Sequence, residues 1–339
     1  MNKSIIYALA SSALVLATGC TDLDVDVKSK YTEYPNESEI ALEAKMSDVY
    51  YAFRTQLGNN YNRTQTFASD EASGISFDGD YYDSAENVNP TVHNFNPENK
   101  PLNYWADLAS GITKCNQFID DLAGNDSKAM QIAQARTMRA FYHFILMDSF
   151  GDVPILDRVP DEGEAVERKP RAEVAAFIEK ELKECLPLLS DKNNAATYGK
   201  PNRWMAEALL VKLYINWGVY TCANVADYDA ATTVNNKLDE CVAMCDDIIK
   251  SHLFNLDDAY RKKFLYNNGA HIKDFIYAMP YDKVSAQGLK YGQYRTFRKV
   301  DGGDSMGYLG GKMNKSCAGI CAMNEEFANL YTLPGDDRN

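Results

Sequence analysis

The residues best suited to chemistry lie in SFDGDYYDSAENVNPTVHNFNP, residues 76–97, where Tyr81 and Tyr82 stand side by side with Asp83, Asn87 and Asn89 close behind. A sugar ring offers an apolar face of C–H groups and a rim of hydroxyls. Flat aromatic rings next to carboxamides and carboxylates match both features. The same tyrosines would equally serve to pin the loop to a folded body, and the spacing alone leaves both roles open.

Other chemistries find little support. The four histidines, His93, His143, His252 and His271, fall in no metal or nucleophile motif. His143 lies in an apolar run and reads as a satisfied core histidine. The glycine-rich stretch 302–312 ends in Gly-Lys, but a phosphate loop needs Gly at 306 and Ser or Thr at 313, and both positions are Met. Cys241 and Cys245, like Cys317 and Cys321, sit four apart without a flanking His, so no metal site and no cofactor is expected. Paired carboxylates for glycoside hydrolysis need only approach in space, and with 48 acidic residues their presence carries no information.

The chain as a whole narrows the partners. Of its 339 residues, 35 are Lys or Arg and 48 are Asp or Glu, a formal charge of −13 that repels a phosphate backbone, so nucleic acid is not an expected partner. Lys3, an apolar run from Ile5 to Ala17, and small residues leading to Cys20 read as an export signal over 1–19, too short to remain as a spanning helix. The segment ending Ala17-Thr18-Gly19-Cys20 resembles a bacterial lipobox, which makes Cys20 the lipidated first residue of the mature protein. Removing Cys20 leaves seven cysteines, so at least one thiol stays free or pairs outside the chain.

The elements that must position the loop are helical. After a tether over 20–35, Asn36 and Glu39 mark a helix start, and Leu42, Met46, Val49 and Phe53 follow at helical spacing. Residues 58–102 are rich in Asn, Gly, Asp, Ser and Pro and read as an irregular binding loop. From Asn103 four amphipathic segments succeed one another. The first carries Trp105, Leu108, Ile112, Cys115, Ile119 and Leu122 and is closed by Gly124; the second is RTMRAFYHFILMDSFGDVPIL, residues 136–156. The third carries Val174, Phe177, Ile178, Leu182, Cys185 and Leu189, and the fourth, from Pro201, has two apolar faces and hence two neighbours. Leu238, Cys241, Val242, Cys245, Ile248 and Ile249 give a fifth. In the second, Gly-Asp-x-Pro at 151–154 reads as a corner although Asp152 invites a catalytic role. Short polar connections without a fixed period predict a mostly α fold of stacked tetratricopeptide-like hairpins over about 103–267. Residues 268–339 read as short strands and loops.

Together, WADLASGITKCNQFIDDL, ARTMRAFYHFILMDSFGDVPIL, PRAEVAAFIEKELKECLPLL and GKPNRWMAEALLVKLYINWG, in that order, resemble the SusD/RagB family of Bacteroidetes outer-membrane lipoproteins. TDLDVDV after Cys20 looks like the acidic surface-export signal of such lipoproteins. The resemblance implies a single SusD-like domain over 36–339, incomplete at its C-terminal end. It also implies a non-catalytic protein that captures oligosaccharides at the cell surface and partners a SusC-like TonB-dependent barrel. By position in the family it points to Tyr81 and Tyr82, with Tyr291 and Tyr294, as the aromatic arc. Two other readings stay open: a hydrolase carried on the same anchor, and an adaptor that uses the helical groove for a protein partner.

Overall fold

The computed structural model describes residues 39–74, 88–98, 102–256, 260–282, 284, 286 and 321–335. The chain divides into units at 1–43 and 44–339, and of the first only the opening residues of a helix are described. That helix, α1, is Glu39–Tyr50. A short helical turn, α2 (Arg54–Gln56), runs through a π-helical turn at Leu57–Tyr61 into α3 (Asn62–Ala68). The stretch expected to be irregular from residue 58 therefore begins as helix. Its helical start buries Phe67 and Thr64, and tertiary packing of that kind overrides the weak helix propensity of Asn and Gly. Strand β1 (Ala72–Gly74) and the one-turn helix α4 (Val88–Thr91) follow.

The long helices arrive where the periodicity places them: α5 (Trp105–Asp121), α6 (Ala129–Phe150), α7 (Arg171–Cys185), α8 (Arg203–Ile215), the short α9 (Trp217–Thr221) and α10 (Leu238–Lys250). They stack in chain order, α6 between α5 and α7, and α8 between α7 and α10, which makes the two neighbours expected for α8. The core between them is Leu108, Ile112, Met138, Ile145, Ile178, Leu182, Leu210 and Leu213, all removed from solvent. Strand β2 (Cys321–Met323) and α11 (Glu325–Ala328) close the described chain. No helix among the described residues is long and apolar enough to cross a membrane.

Polar groups fix how the stack is assembled. A Cβ built on Gly111 would lie 2.9 Å from the Tyr142 ring, so glycine sets the close approach of α5 to α6. Tyr142 in turn donates its hydroxyl to the Val49 carbonyl at 2.6 Å, tying α6 to the end of α1. Deeper in, Arg139 of α6 grips Glu181 of α7 through Nε and Nη2, the latter at 2.5 Å. Its Nη1 donates to Asn116 Oδ1 at 2.7 Å and to the Asp157 carbonyl at 2.6 Å. Arg136, one turn earlier, reaches both Glu181 and Glu184. Burial pushes the Glu181 carboxyl up, but hydrogen bonds from Arg136 and the charge of Arg139 outweigh it and hold it below the usual range.

The Gly-Asp-x-Pro corner is built as expected, and Asp152 has a structural use. Gly151 takes φ 80 and ψ −117, a conformation open to glycine, while its N–H still bonds to the Met147 carbonyl. Val153 bridges Lys169, and the Asp152 carboxylate accepts the Arg171 N–H at 3.0 Å, supplying an acceptor and a negative charge at the start of α7. The chain returning at Leu156 donates its N–H to His143 Nε2 at 3.0 Å, and His143 Nδ1 bonds to the Arg139 carbonyl at 2.8 Å. Both ring nitrogens are thus engaged by the neutral imidazole, and burial lowers its pKa to about 4. His143 is the satisfied core histidine the sequence suggested.

Candidate functional site

The candidate residues Tyr81, Tyr82, Asp83 and Asn87, the pair Tyr291 and Tyr294, and the candidate lipidation residue Cys20 lie outside the described residues. What is described is the platform from which the candidate segments leave and to which they return. β1 and β2 pair antiparallel, with Ala72 opposite Met323, Ser73 opposite Ala322 and Gly74 opposite Cys321. Tyr81 and Tyr82 follow Gly74 in the chain by seven and eight residues, and Tyr291 and Tyr294 belong to the stretch that ends at Cys321. Two positions more than two hundred residues apart in sequence are therefore paired, Gly74 with Cys321.

Short polar side chains hold that root. Ser73 Oγ donates to Asn324 Oδ1 at 2.5 Å, and Asn324 Nδ2 donates to the Asp70 carbonyl at 2.9 Å. The Asn324 N–H bonds to the Glu71 carbonyl, so one asparagine stitches the start of α11 to the turn before β1. Thr91 Oγ1 of α4 accepts the Gly74 N–H at 2.8 Å, which fastens the returning end of the loop beside its departing end. The chain then turns at His93, which sits at φ 53, in the left-handed region. The His93 ring bonds to the Ala68 carbonyl at 3.0 Å and stacks on Phe95, with centroids 6.2 Å apart and planes at 16°. Asn89 is the one residue of the predicted sugar-binding set that is described. Its side-chain oxygen accepts from Asn94 Nδ2 and its carbonyl accepts the Asn94 N–H, so it braces this turn.

Phe95 was not singled out in the sequence. It is an aromatic ring held 43% exposed at the edge of the loop. The signal that could have found it is its place within VHNFNP, between two asparagines and close to Pro97. A second set of aromatic rings clusters at the start of α5 and the end of α6. Phe53, Tyr61, Tyr104, Phe150 and Trp105 form a chain of edge-to-face and tilted contacts with centroids 5.0–6.4 Å apart. Burial pushes the Tyr104 hydroxyl up to about 12 against the hydrogen bond it donates to Ser149, so it stays protonated at any physiological pH. At the end of α6, Asp148 accepts from the Tyr220 hydroxyl at 2.7 Å.

Nucleophilic chemistry gains no support from the groups described here. His143 has no free nitrogen, and burial raises the thiols of Cys115 and Cys185, the latter to about 11. Cys115, Cys185, Cys222, Cys241 and Cys245 are free, and no group of three or more His, Cys, Asp or Glu among the described residues is placed to hold a metal ion.

Comparison with known proteins agrees with the fold. Surface glycan-binding protein A from Bacteroides uniformis superposes with a TM-score of 0.66 at 17% identity, over 87% of this chain and 62% of that one. Surface glycan-binding protein A from Bacteroides thetaiotaomicron, solved in complex with laminarihexaose, gives 0.64 at 16% over 87% and 61%. A SusD superfamily protein from Bacteroides thetaiotaomicron gives 0.62 at 16% over 85% and 60%. The chain thus spans about three-fifths of the length of these relatives. No curated protein matches the sequence. The family model described as "Starch-binding associating with outer membrane" matches residues 23–215, more than half the chain and the whole run from the tether through α8. With the hairpin stack and the ordered motifs it contains, the chain belongs to the SusD-like family.

Proposed function

We propose that the protein is a non-catalytic, cell-surface glycan-binding lipoprotein, anchored through Cys20 in the outer membrane. It captures oligosaccharides for a SusC-like TonB-dependent barrel. The observation that carries the reading is the match of residues 23–215 to the family model described as "Starch-binding associating with outer membrane". Tyr81, Tyr82, Tyr291 and Tyr294 supply the stacking faces in this proposal, and Asp83 and Asn87 supply hydrogen bonds to sugar hydroxyls. The presence of laminarihexaose in one structural relative makes β-glucan oligosaccharides the first ligands to try, with starch oligosaccharides second because of the family's description.

Calorimetric titration of the ectodomain from residue 21 with laminarihexaose and maltohexaose tests it. Each stacked ring contributes on the order of 1 kcal/mol beyond area burial, so Tyr81→Ala and Tyr82→Ala should each weaken binding about five-fold. Absence of binding across a broad oligosaccharide panel would sink the function. Unchanged affinity in both variants would move the site elsewhere while leaving the function standing.

A further inference from the structure

Sulfur is gathered on one turn of α10. In Cys241-Val242-Ala243-Met244-Cys245 the three sulfur-bearing residues stand at i, i+3 and i+4, the spacing that brings side chains together on a helix with Cβ atoms about 5–6 Å apart. Cys241 is buried against α8, its thiol 3.7 Å from the Val211 carbonyl, and Met244 and Cys245 are half-buried beside it. Both thiols are free. A disulfide needs Cβ atoms about 3.5–4.5 Å apart, closer than successive turns of an intact helix bring them, so α10 opposes oxidation of the pair. Burial, and next the adjoining Cys245, hold the Cys241 thiol above its usual range, so it keeps its proton until a cation replaces it. The carboxylates that flank the sulfurs in the helix are engaged elsewhere: Glu240 by Lys183 and Lys237, Asp246 by Lys250, and Asp247 by Arg203. The donor set of this turn is therefore sulfur alone.

We propose that Cys241, Met244 and Cys245 form a binding site for a soft monovalent metal ion, with cuprous copper as the fitting one. Thiolate and thioether sulfurs select such an ion, whereas zinc takes four nitrogen, thiolate or carboxylate ligands and finds only two thiolates here. The lack of a flanking histidine, which argued against a metal site, thus argues against zinc and leaves cuprous copper open. On binding, bonds form from the ion to both sulfurs and both S–H bonds break: one cuprous ion and two thiols give a singly negative bis-thiolate complex and two protons released to water. No oxidation state changes. The Met244 thioether adds a third, neutral bond. The site stands apart from the glycan-binding reading, and neither depends on the other.

Titration of the reduced, full-length protein with cuprous ion in the absence of oxygen, against a chromophoric cuprous chelator, tests the proposal. Cys245→Ser should lose the bound copper, and Met244→Leu should bind it but surrender it at a lower chelator concentration. On the unaltered protein, cuprous ion should slow iodoacetamide alkylation of Cys245 about ten-fold, because a metal-bound thiolate is withheld as nucleophile. Alkylation of Cys222, which faces Arg171 instead, should not change. Undiminished copper binding in Cys245→Ser would overturn the proposal, and an unaltered chelator demand in Met244→Leu would overturn the three-sulfur site. Alkylation of Cys245 at one rate with and without copper, or equal protection of Cys222, would also overturn it. These alkylation rates are read on the native chain, so they decide the matter even where a variant misfolds.

Discussion

At the scale of single residues the family's helix motif is explained by what Arg139 and His143 touch. Arg139 is engaged by the neighbouring helix and by the Asp157 carbonyl, and His143 by the Arg139 carbonyl of its own helix and by the Leu156 N–H of the returning chain. Glu181→Gln leaves the Arg139 guanidinium buried without its counter-charge. The expected loss is about 3–5 kcal/mol, read from the urea midpoint. Glu240→Gln should cost about 1 kcal/mol or less, because Glu240 and its partner Lys183 are both roughly two-fifths exposed and screened. His143 gives a pH signature. Its pKa is about 4 in the folded protein and 6.5 when unfolded, so between these values the unfolded chain binds the extra proton and stability falls as pH falls. At about 1.4 kcal/mol per pH, that window is worth about 3 kcal/mol. Above pH 6.5 the contribution is complete. Unfolding free energies measured between pH 7 and pH 4 should decline along this course, and His143→Gln should remove that part of the slope. A parallel decline in the variant would assign it to other groups. None of this pairing was read from the sequence, where Arg136 and Arg139 stood among apolar neighbours. The available signal was the matched spacing of two arginines three apart on one helix and two glutamates, Glu181 and Glu184, three apart on the next.

Elements are where sequence reading did best, and the reason is physical. A helix buried on one side repeats its apolar residues every three or four positions, and that pattern is carried by the sequence itself, so α5 to α8 and α10 were legible from stripes alone. The corner after α6 was legible for a different reason. Glycine and proline restrict the backbone locally, and Gly151 with Pro154 left few routes but a turn. Its second function, starting α7, depends on Asp152 meeting a residue nineteen positions away and could not be read locally. Asp152→Ala should therefore destabilise the protein by about 1 kcal/mol, the usual cost of a lost helix cap, while leaving glycan affinity unchanged. Thermal denaturation and titration of the same variant check both halves, and a loss of binding without a loss of stability would restore Asp152 as a candidate functional group. The helical opening of the supposed loop at Leu57–Ala68 was missed because Asn and Gly argue against helix, and Phe67 packing against the body overrides them.

For the whole molecule, the helical stack could be read and the ligand site could be approached only by composition. Stacking platforms have no period, and the pairing of Gly74 with Cys321 joins positions far apart in the chain through three residue pairs of sheet. The proposed anchor poses the opposite situation, a local motif with a consequence for the entire protein. A single acyl chain holds a protein only marginally at a bilayer, whereas the multiple chains expected on a lipidated Cys20 hold it stably. Nothing in the charge balance would substitute, since a formal charge of −13 is repelled by an anionic surface instead of adsorbing to it. Retention should then rest on Cys20 and, more weakly, on a barrel partner. Cys20→Ser, expressed in the native host, should move the protein from the membrane pellet to the soluble fraction and abolish labelling by a radioactive fatty acid. Deleting the proposed SusC-like barrel partner should leave both unchanged. A Cys20→Ser protein that still sediments with membranes in the barrel-deleted host would refute the anchor and require the folded domain to bind the membrane by itself.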